Sequence, residues 1–213
     1  MVAIDGPAGS GKSTLALRLA AQLGLPYVNT GIMYRALARR ALQTGTDPAD
    51  GAALERLLDM IAFEMDHSRT PAFLLVGGAE PGPEFSTPEV EAIVSTVARH
   101  PEVRRSMAAR QRELGREGAV MEGRDIGTVV FPDATVKIFL DASPDERAGR
   151  RILEREGELG VAEGLARRDL RDARVNPFVP ARDAVVLDTT GIGPDEVFRR
   201  ALRVVREALG GVR

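Results

Sequence analysis

The chain of 213 residues contains no cysteine, which excludes disulfides, thiolate catalysis and cysteine-built zinc or iron–sulfur centres. That fits a reducing compartment. Lysine is nearly absent as well: Lys12 and Lys137 are the only two, so 27 of the 29 basic residues are arginine. Arginine in such numbers could supply bidentate phosphate clamps, but a coding bias would produce the same excess, so only a place in a motif promotes any one of them. An excess of either charge is also missing. The net charge of −2 and pI near 5.8 argue against a protein that works on nucleic acid or an anionic membrane. No apolar run is long enough to span a bilayer, and Met1–Asp5 enters a strand-like run with no basic leader, so a soluble, cytoplasmic protein is expected. With 44% hydrophobic and 28% charged residues, the chain is long enough for one substantial core and a small appended lobe or two.

What is present is an alternation of short apolar runs with helical patterns, which predicts an α/β fold with a parallel sheet and crossover helices. Five strands are expected, at Val2–Asp5, Pro26–Asn29, Ala119–Glu122, Val136–Asp141 and Val185–Asp188. Each ends in a polar residue. Ligands of open parallel sheets sit beyond the carboxyl ends of the strands, so Asp5, Asn29, Glu122, Asp141 and Asp188 should face one rim. Leu15, Leu19 and Leu23 make a buried helical stripe that Gly24 and Pro26 terminate, and a last helix after Gly193-Pro194 should bury Val197, Ala201, Val204 and Ala208. Two stretches break the alternation. Ile61–Phe85 reads as a hairpin, Ile61–Met65 and Phe73–Val76 around the turn 67–71, and suggests a small β-containing inserted lobe. Pro144–Arg174 is helical, dense in Arg and Glu and poor in large apolar residues, as in a solvated, mobile helical hairpin.

The strongest signal is Gly6-Pro7-Ala8-Gly9-Ser10-Gly11-Lys12-Ser13-Thr14, a complete P-loop pattern that follows a strand and opens a helix. Its glycines let backbone N–H groups turn inward around phosphates, and the helix N-terminus adds its dipole. Lys12 can reach the β- and γ-phosphates, and the Ser13 hydroxyl can ligate Mg²⁺. By average residue frequencies the bare pattern arises by chance in on the order of one in a hundred chains of this length, and the strand–helix context makes chance rarer. Neither lysine outside this role supplies a guanine-reading Asn-Lys-x-Asp element, which argues against a GTPase, and the chain is short for a motor or transporter ATPase. A kinase of a small acceptor remains.

Beyond the P-loop, the run from Glu122-Gly123-Arg124-Asp125-Ile126-Gly127-Thr128 through Phe131-Pro132-Asp133-Ala134 and Val136–Ser143 to Glu146-Arg147-Ala148 and Arg150-Arg151 resembles bacterial cytidylate kinases, of the nucleoside monophosphate kinase family. Thr30-Gly31-x-Met33-Tyr34-Arg35 resembles that family's Ser-Gly-x-x-Tyr-Arg element. Thr87–Val90 with Ser95, Val103-Arg104 and Arg110–Arg112 resemble its acceptor-side helices. The resemblance covers essentially the whole chain. It implies a P-loop kinase fold with a core of about 1–30, 114–143 and 175–213, a monophosphate-binding region with insert of about 31–113, and a helical LID of about 144–174. It also implies a monomer that binds ATP, with Mg²⁺, and CMP or dCMP, and that serves pyrimidine metabolism.

The same resemblance assigns roles. Gly6 to Thr14 would hold ATP. Thr30, Tyr34, Arg35, Ser95, Arg104, Arg124 and Asp125 would hold CMP, with Arg35 and Arg124 on its phosphate. Asp125 can accept from cytosine N4 while Ser95 and Arg104 complete the base contact; a carboxylate would meet uracil O4 acceptor to acceptor. Arg147 and Arg151, at i and i+4, share a helix face and would meet the triphosphate on LID closure. Asp172 resembles the sugar-binding aspartate with Arg168 near it, and Arg174 is the candidate for a further phosphate clamp. The chain departs from the family at Asn29, where Asp is common, at Thr30 for Ser and at Glu122 for Asp. His67 and His100 sit in no motif. The expected chemistry is ATP + CMP ⇌ ADP + CDP, catalysed by positioning, Lys12 and converging arginines without a strong general base. A kinase of UMP or of a sugar, or a regulatory ATP-binding module, are the other readings.

Overall fold

Why a sheet forms where it does follows from burial on both of its faces. In the computed structural model, which describes residues 1–154 and 179–210, the first strand β1 (Val2–Asp5) is buried along its whole length. Alternate side chains point to opposite sides, so Val2 and Ile4 enter one apolar cluster and Ala3 the other. The same split separates Val120 from Met121 in β5 (Val120–Gly123). Such continuous apolar runs suit parallel strands covered by helices on both faces.

The remaining elements are α1 (Lys12–Leu23), β2 (Tyr27–Asn29), α2 (Thr30–Thr44), α3 (Gly51–Leu58), β3 (Phe63–Asp66), β4 (Phe73–Val76), α4 (Pro88–Ala98), α5 (Pro101–Leu114), β6 (Val136–Asp141), α6 (Pro144–Glu154), β7 (Val185–Asp188) and α7 (Pro194–Gly210). A π-type turn, Ile126–Val130, follows β5. Helix starts are capped locally: the Asn29 side chain accepts from Ile32 N–H, Asp50 from Ala53 and Thr87 from Val90. One cluster packs Leu15, Leu19, Val197, Ala201 and Val205 against one face of the sheet. The other packs Met33, Leu37, Leu54, Leu58, Val94 and Met107 against the opposite face.

The sheet order is β3-β4-β2-β5-β1-β6-β7, parallel throughout except for the antiparallel β3–β4 pair. The expected five strands are therefore seven. The hairpin is no separate lobe: β4 lies parallel to β2 with Phe73 opposite Tyr27, Tyr27 N–H donates to Ala72 C=O at 2.9 Å, and the two rings meet edge to face. This pairing joins short strands far apart in sequence, and no local pattern encodes it. Boundaries shift slightly too. The hairpin's first strand is Phe63–Asp66 rather than Ile61–Met65, and Pro26 and Ala119 precede their strands. In α7 the buried line runs Val197, Ala201, Val205, leaving Val204 and Ala208 at its margin. Of the expected LID, α6 is described and residues 155–178 lie outside the described residues.

Strand register positions the site. Asp5 lies beside Gly123, and Asn29 beside Glu122, so β1, β2 and β5 end level at one edge. The three segments that leave them are the P-loop, the start of α2 and the Arg124–Asp125 turn.

Candidate active site

One cleft opens along that edge, with a volume of about 160 Å³. From the P-loop it is lined by Ala8, Gly9, Lys12 and Ser13; from α2 by Thr30, Gly31, Tyr34 and Arg35; and from α4 and α5 by Val94, Ser95, Ala98 and Arg104. Arg124 and Asp125 come from the end of β5, and Arg151 from α6. The other P-loop residues shape the loop from behind. Gly6, Pro7 and Ser10 are buried, Gly11 precedes α1 in a left-handed conformation, and Thr14 is exposed on the first turn of α1.

The loop is packed tightly against its neighbours. Gly6 has φ +148°, and a Cβ placed there would lie 2.2 Å from the carbonyl oxygen of Leu140 on β6. Lys12 Nζ donates to the Pro7 carbonyl at 2.7 Å, which folds the ammonium back over its own loop. Ser13 donates its hydroxyl to Glu122 Oε2 at 3.0 Å. The other oxygen of Glu122 accepts from the Tyr27 hydroxyl at 2.5 Å. Burial, then the charge of Glu122, pushes the Tyr27 phenol far above its ordinary value, so it stays a donor. A hydroxyl and a carboxylate side by side at the mouth of the P-loop are hard oxygen donors of the kind Mg²⁺ accepts. Among the described residues no group of three or more His, Cys, Asp or Glu is placed to hold a metal ion.

Across the cleft from the P-loop, Arg104 donates to Asp125 Oδ2 in a charged contact between α5 and the β5 turn. Ser95 is buried beside them. The Tyr34 phenol is raised above its ordinary value, first by burial and then by the charge of Asp125, so it too stays protonated. Thr30 donates its hydroxyl to the Glu122 carbonyl at 2.7 Å. Arg35 Nε donates to Glu91 Oε1 at 2.9 Å, a pair with both side chains mostly buried. Arg124 Nη1 donates to the Gly6 carbonyl at 3.1 Å, tying the turn after β5 to the start of the P-loop.

The expected pair in α6 divides. Arg151 lines the cleft, whereas Arg147 is buried and braces the P-loop: its Nη1 donates to Ala8 C=O and its Nε to Ala142 C=O, each at 3.2 Å. The start of α6 is thus not a purely solvated face. Position i+4 puts two residues on one side of a helix but says nothing of which lies against a neighbouring loop. Arg168, Asp172 and Arg174 lie outside the described residues.

Sequence reasoning missed several partners. Glu91 carries no signal as the anchor of Arg35, because the contact spans two helices. Arg150 donates from its Nη1 and Nη2 to the hydroxyl and carbonyl of Thr189, and the Thr189 hydroxyl in turn donates to Ser10 C=O at 3.2 Å, linking α6 to the P-loop. Tyr27, opposite Val120 in register and reaching Glu122 diagonally, could have been found only by knowing which strands pair.

A P-loop at the end of a central parallel strand, with a hydroxyl–carboxylate pair at its mouth and an arginine-bearing wall facing it across the same cleft, has the features of a P-loop phosphotransferase. Comparison with known sequences narrows this. The family model for cytidylate kinase matches residues 2–207, and the chain belongs to that family. The cytidylate kinase of Solibacter usitatus is 46% identical over 97% of this chain and 92% of its own length. That of Shouchella clausii is 45% identical over 97% and 96%, and that of Mycobacterium leprae 41% over 100% and 98%. The crystal structure of TT1252 from Thermus thermophilus overlays at 24% identity with a TM-score of 0.46, too slight a likeness to carry an argument. Among the described residues no helix is long and apolar enough to cross a membrane.

Proposed function

We propose that this enzyme transfers the γ-phosphoryl group of ATP to CMP and dCMP, giving ADP with CDP or dCDP. The observation that carries the reading is that a single cleft is lined both by Gly9, Lys12 and Ser13 of the P-loop and by Ser95, Arg104 and Asp125 of the acceptor wall. The nucleophile is an oxygen of the acceptor phosphate, already ionised near neutral pH, which attacks the γ-phosphorus while the bond to the β,γ-bridging oxygen breaks. No side chain has to remove a proton from it. The chain's work is positioning and charge stabilisation.

Lys12 exchanges the Pro7 carbonyl for the β- and γ-phosphates. Arg35 and Arg124 clamp the acceptor phosphate, Arg35 oriented through Glu91 and Arg124 through the Gly6 carbonyl. Asp125, held by Arg104, accepts from the exocyclic amine of cytosine and disfavours uracil. Arg151 meets the transferring group from α6, and Arg147 acts behind the loop by holding Ala8. Ser13, with Glu122 beside it, would hold Mg²⁺, which when bound neutralises charge on the phosphates. Arg168, Asp172 and Arg174 belong to the same reading as ligands of CMP. The enzyme acts in the cytoplasm as a monomer on free nucleotides.

A coupled ADP-release assay with ATP, Mg²⁺ and a panel of CMP, dCMP, UMP, AMP and GMP tests this. Turnover with CMP and dCMP but not AMP is expected. ATP binding with no acceptor-dependent turnover, or a preference for UMP, would overturn it.

A further inference from the structure

The rim acid at the end of β1, Asp5, has no part in the chemistry above, yet it is buried, only 7% exposed. Its Oδ1 accepts from Ile126 N–H and its Oδ2 from Gly127 N–H, each at 2.8 Å. These are the first two N–H groups of the π-type turn Ile126–Val130. Asp125, the residue in the capping position, makes no side-chain cap there. Asp5 therefore does from the neighbouring strand what an N-cap side chain does locally.

The turn so capped begins at the acceptor residues. The Asp125 carbonyl accepts from Val129 N–H at 2.8 Å and Val130 N–H at 3.3 Å, so the backbone of Asp125 is the first link of the turn that Asp5 anchors. Arg124, one residue earlier, donates to the carbonyl of Gly6, one residue after Asp5. Both acceptor residues are thus referred to the exit of β1, from which the P-loop also leaves. We propose that Asp5 is a positioning residue that fixes the Arg124–Asp125 turn relative to the P-loop, and so sets affinity for the acceptor and the preference for cytosine over uracil. This rests on the reading of Asp125 as the group that meets the cytosine amine.

Two further observations support it. The turn packs closely at Gly127, where a Cβ would be in ordinary contact with Asp5 Oδ2 at 3.4 Å and would lie 3.2 Å from Cδ of Lys137, whose ammonium is itself engaged by Asp183. Burial raises the Asp5 carboxyl to about 6, against the two N–H bonds and the charge of Lys12 and with the charge of Asp125. An ionised group kept at such a cost to folding is better explained by the site than by stability.

The test is Asp5→Asn, in which an amide NH₂ replaces one acceptor and faces a backbone N–H donor. Steady-state kinetics should show KM for CMP raised about tenfold, kcat at saturating CMP lowered less than about threefold, KM for ATP unchanged, and the CMP-over-UMP ratio of kcat/KM reduced about tenfold. An unchanged KM for CMP and an unchanged ratio would overturn the proposal, as would a loss borne equally by ATP and CMP. If Asp5→Asn does not fold, Asp5→Ser removes the buried charge and leaves one of the two N–H groups without its acceptor, and a rise of about threefold in KM for CMP alone is expected; no rise overturns the proposal. Asp125→Asn, run alongside, separates the two layers. A lost cytosine preference there with none lost in Asp5→Asn counts against Asp5 alone, and a preserved preference in Asp125→Asn removes the reader and this proposal with it.

Discussion

Asp5→Asn also has a thermodynamic consequence that can be worked from the structure. The folded carboxyl sits at about 6 because burial disfavours its charge, against 3.8 for the exposed group. Between those values the folded state binds more protons than the unfolded one, so stability from this group is fully present below 3.8 and is lost as pH rises through 6. At about 1.4 kcal/mol per pKa unit the total loss is about 3 kcal/mol, roughly half of it between pH 5 and pH 8. Asparagine does not titrate, so this slope is absent from the variant. Its own cost, an amide NH₂ facing a backbone N–H where an acceptor stood, is about 1–3 kcal/mol and independent of pH. For a chain of this length 1 kcal/mol moves Tm by about 2–4 °C, so Tm of Asp5→Asn minus Tm of the parent should climb by about 3–6 °C from pH 5 to pH 8. Thermal unfolding followed by circular dichroism in matched buffers measures it. Parallel curves for the two proteins across that range would refute the account of Asp5 as a carboxylate held ionised against its burial.

Lys12→Ala should keep its Tm and lose about 10²–10³ in kcat, measured by coupled ADP release, because Lys12 lies outside the apolar core and, in the proposed function, serves the phosphates. Gly6→Ala should lower stability by about 2–5 kcal/mol, from φ +148° and the 2.2 Å approach to Leu140 C=O, and chemical denaturation reads it. Glu91→Ala frees the Nε anchor of Arg35 and should raise KM for CMP about three- to tenfold while leaving KM for ATP unchanged, checked by steady-state kinetics.

Much of the site was legible because its parts are local. The P-loop announces itself by spacing, and the residues of the facing wall of the cleft by a long run of sequence around Arg124. Arg147 was legible as a site arginine but not as a buried brace, since the helix period cannot say which neighbour a face will meet. The hairpin was legible as a hairpin, but not as part of the sheet. A strand's partner is chosen by burial and backbone pairing over long separations, and Phe73 carries no mark that points to Tyr27.

By itself, then, the sequence determined the elements that depend on neighbours a few residues away: the phosphate-cradling turn, the strand and helix periods, and the polar residue at each strand end. Only the tertiary structure decided what those polar residues do. Asp5, Glu122 and Asp125 all stand at or just beyond strand ends, and by sequence they are alike. Register turned the first inward onto two backbone N–H groups, put the second against Ser13 and Tyr27, and left the third in the cleft beside Arg104. The physical reason is that a carboxylate takes its role from the donors packed around it, and those donors come from strands and helices that only folding brings together.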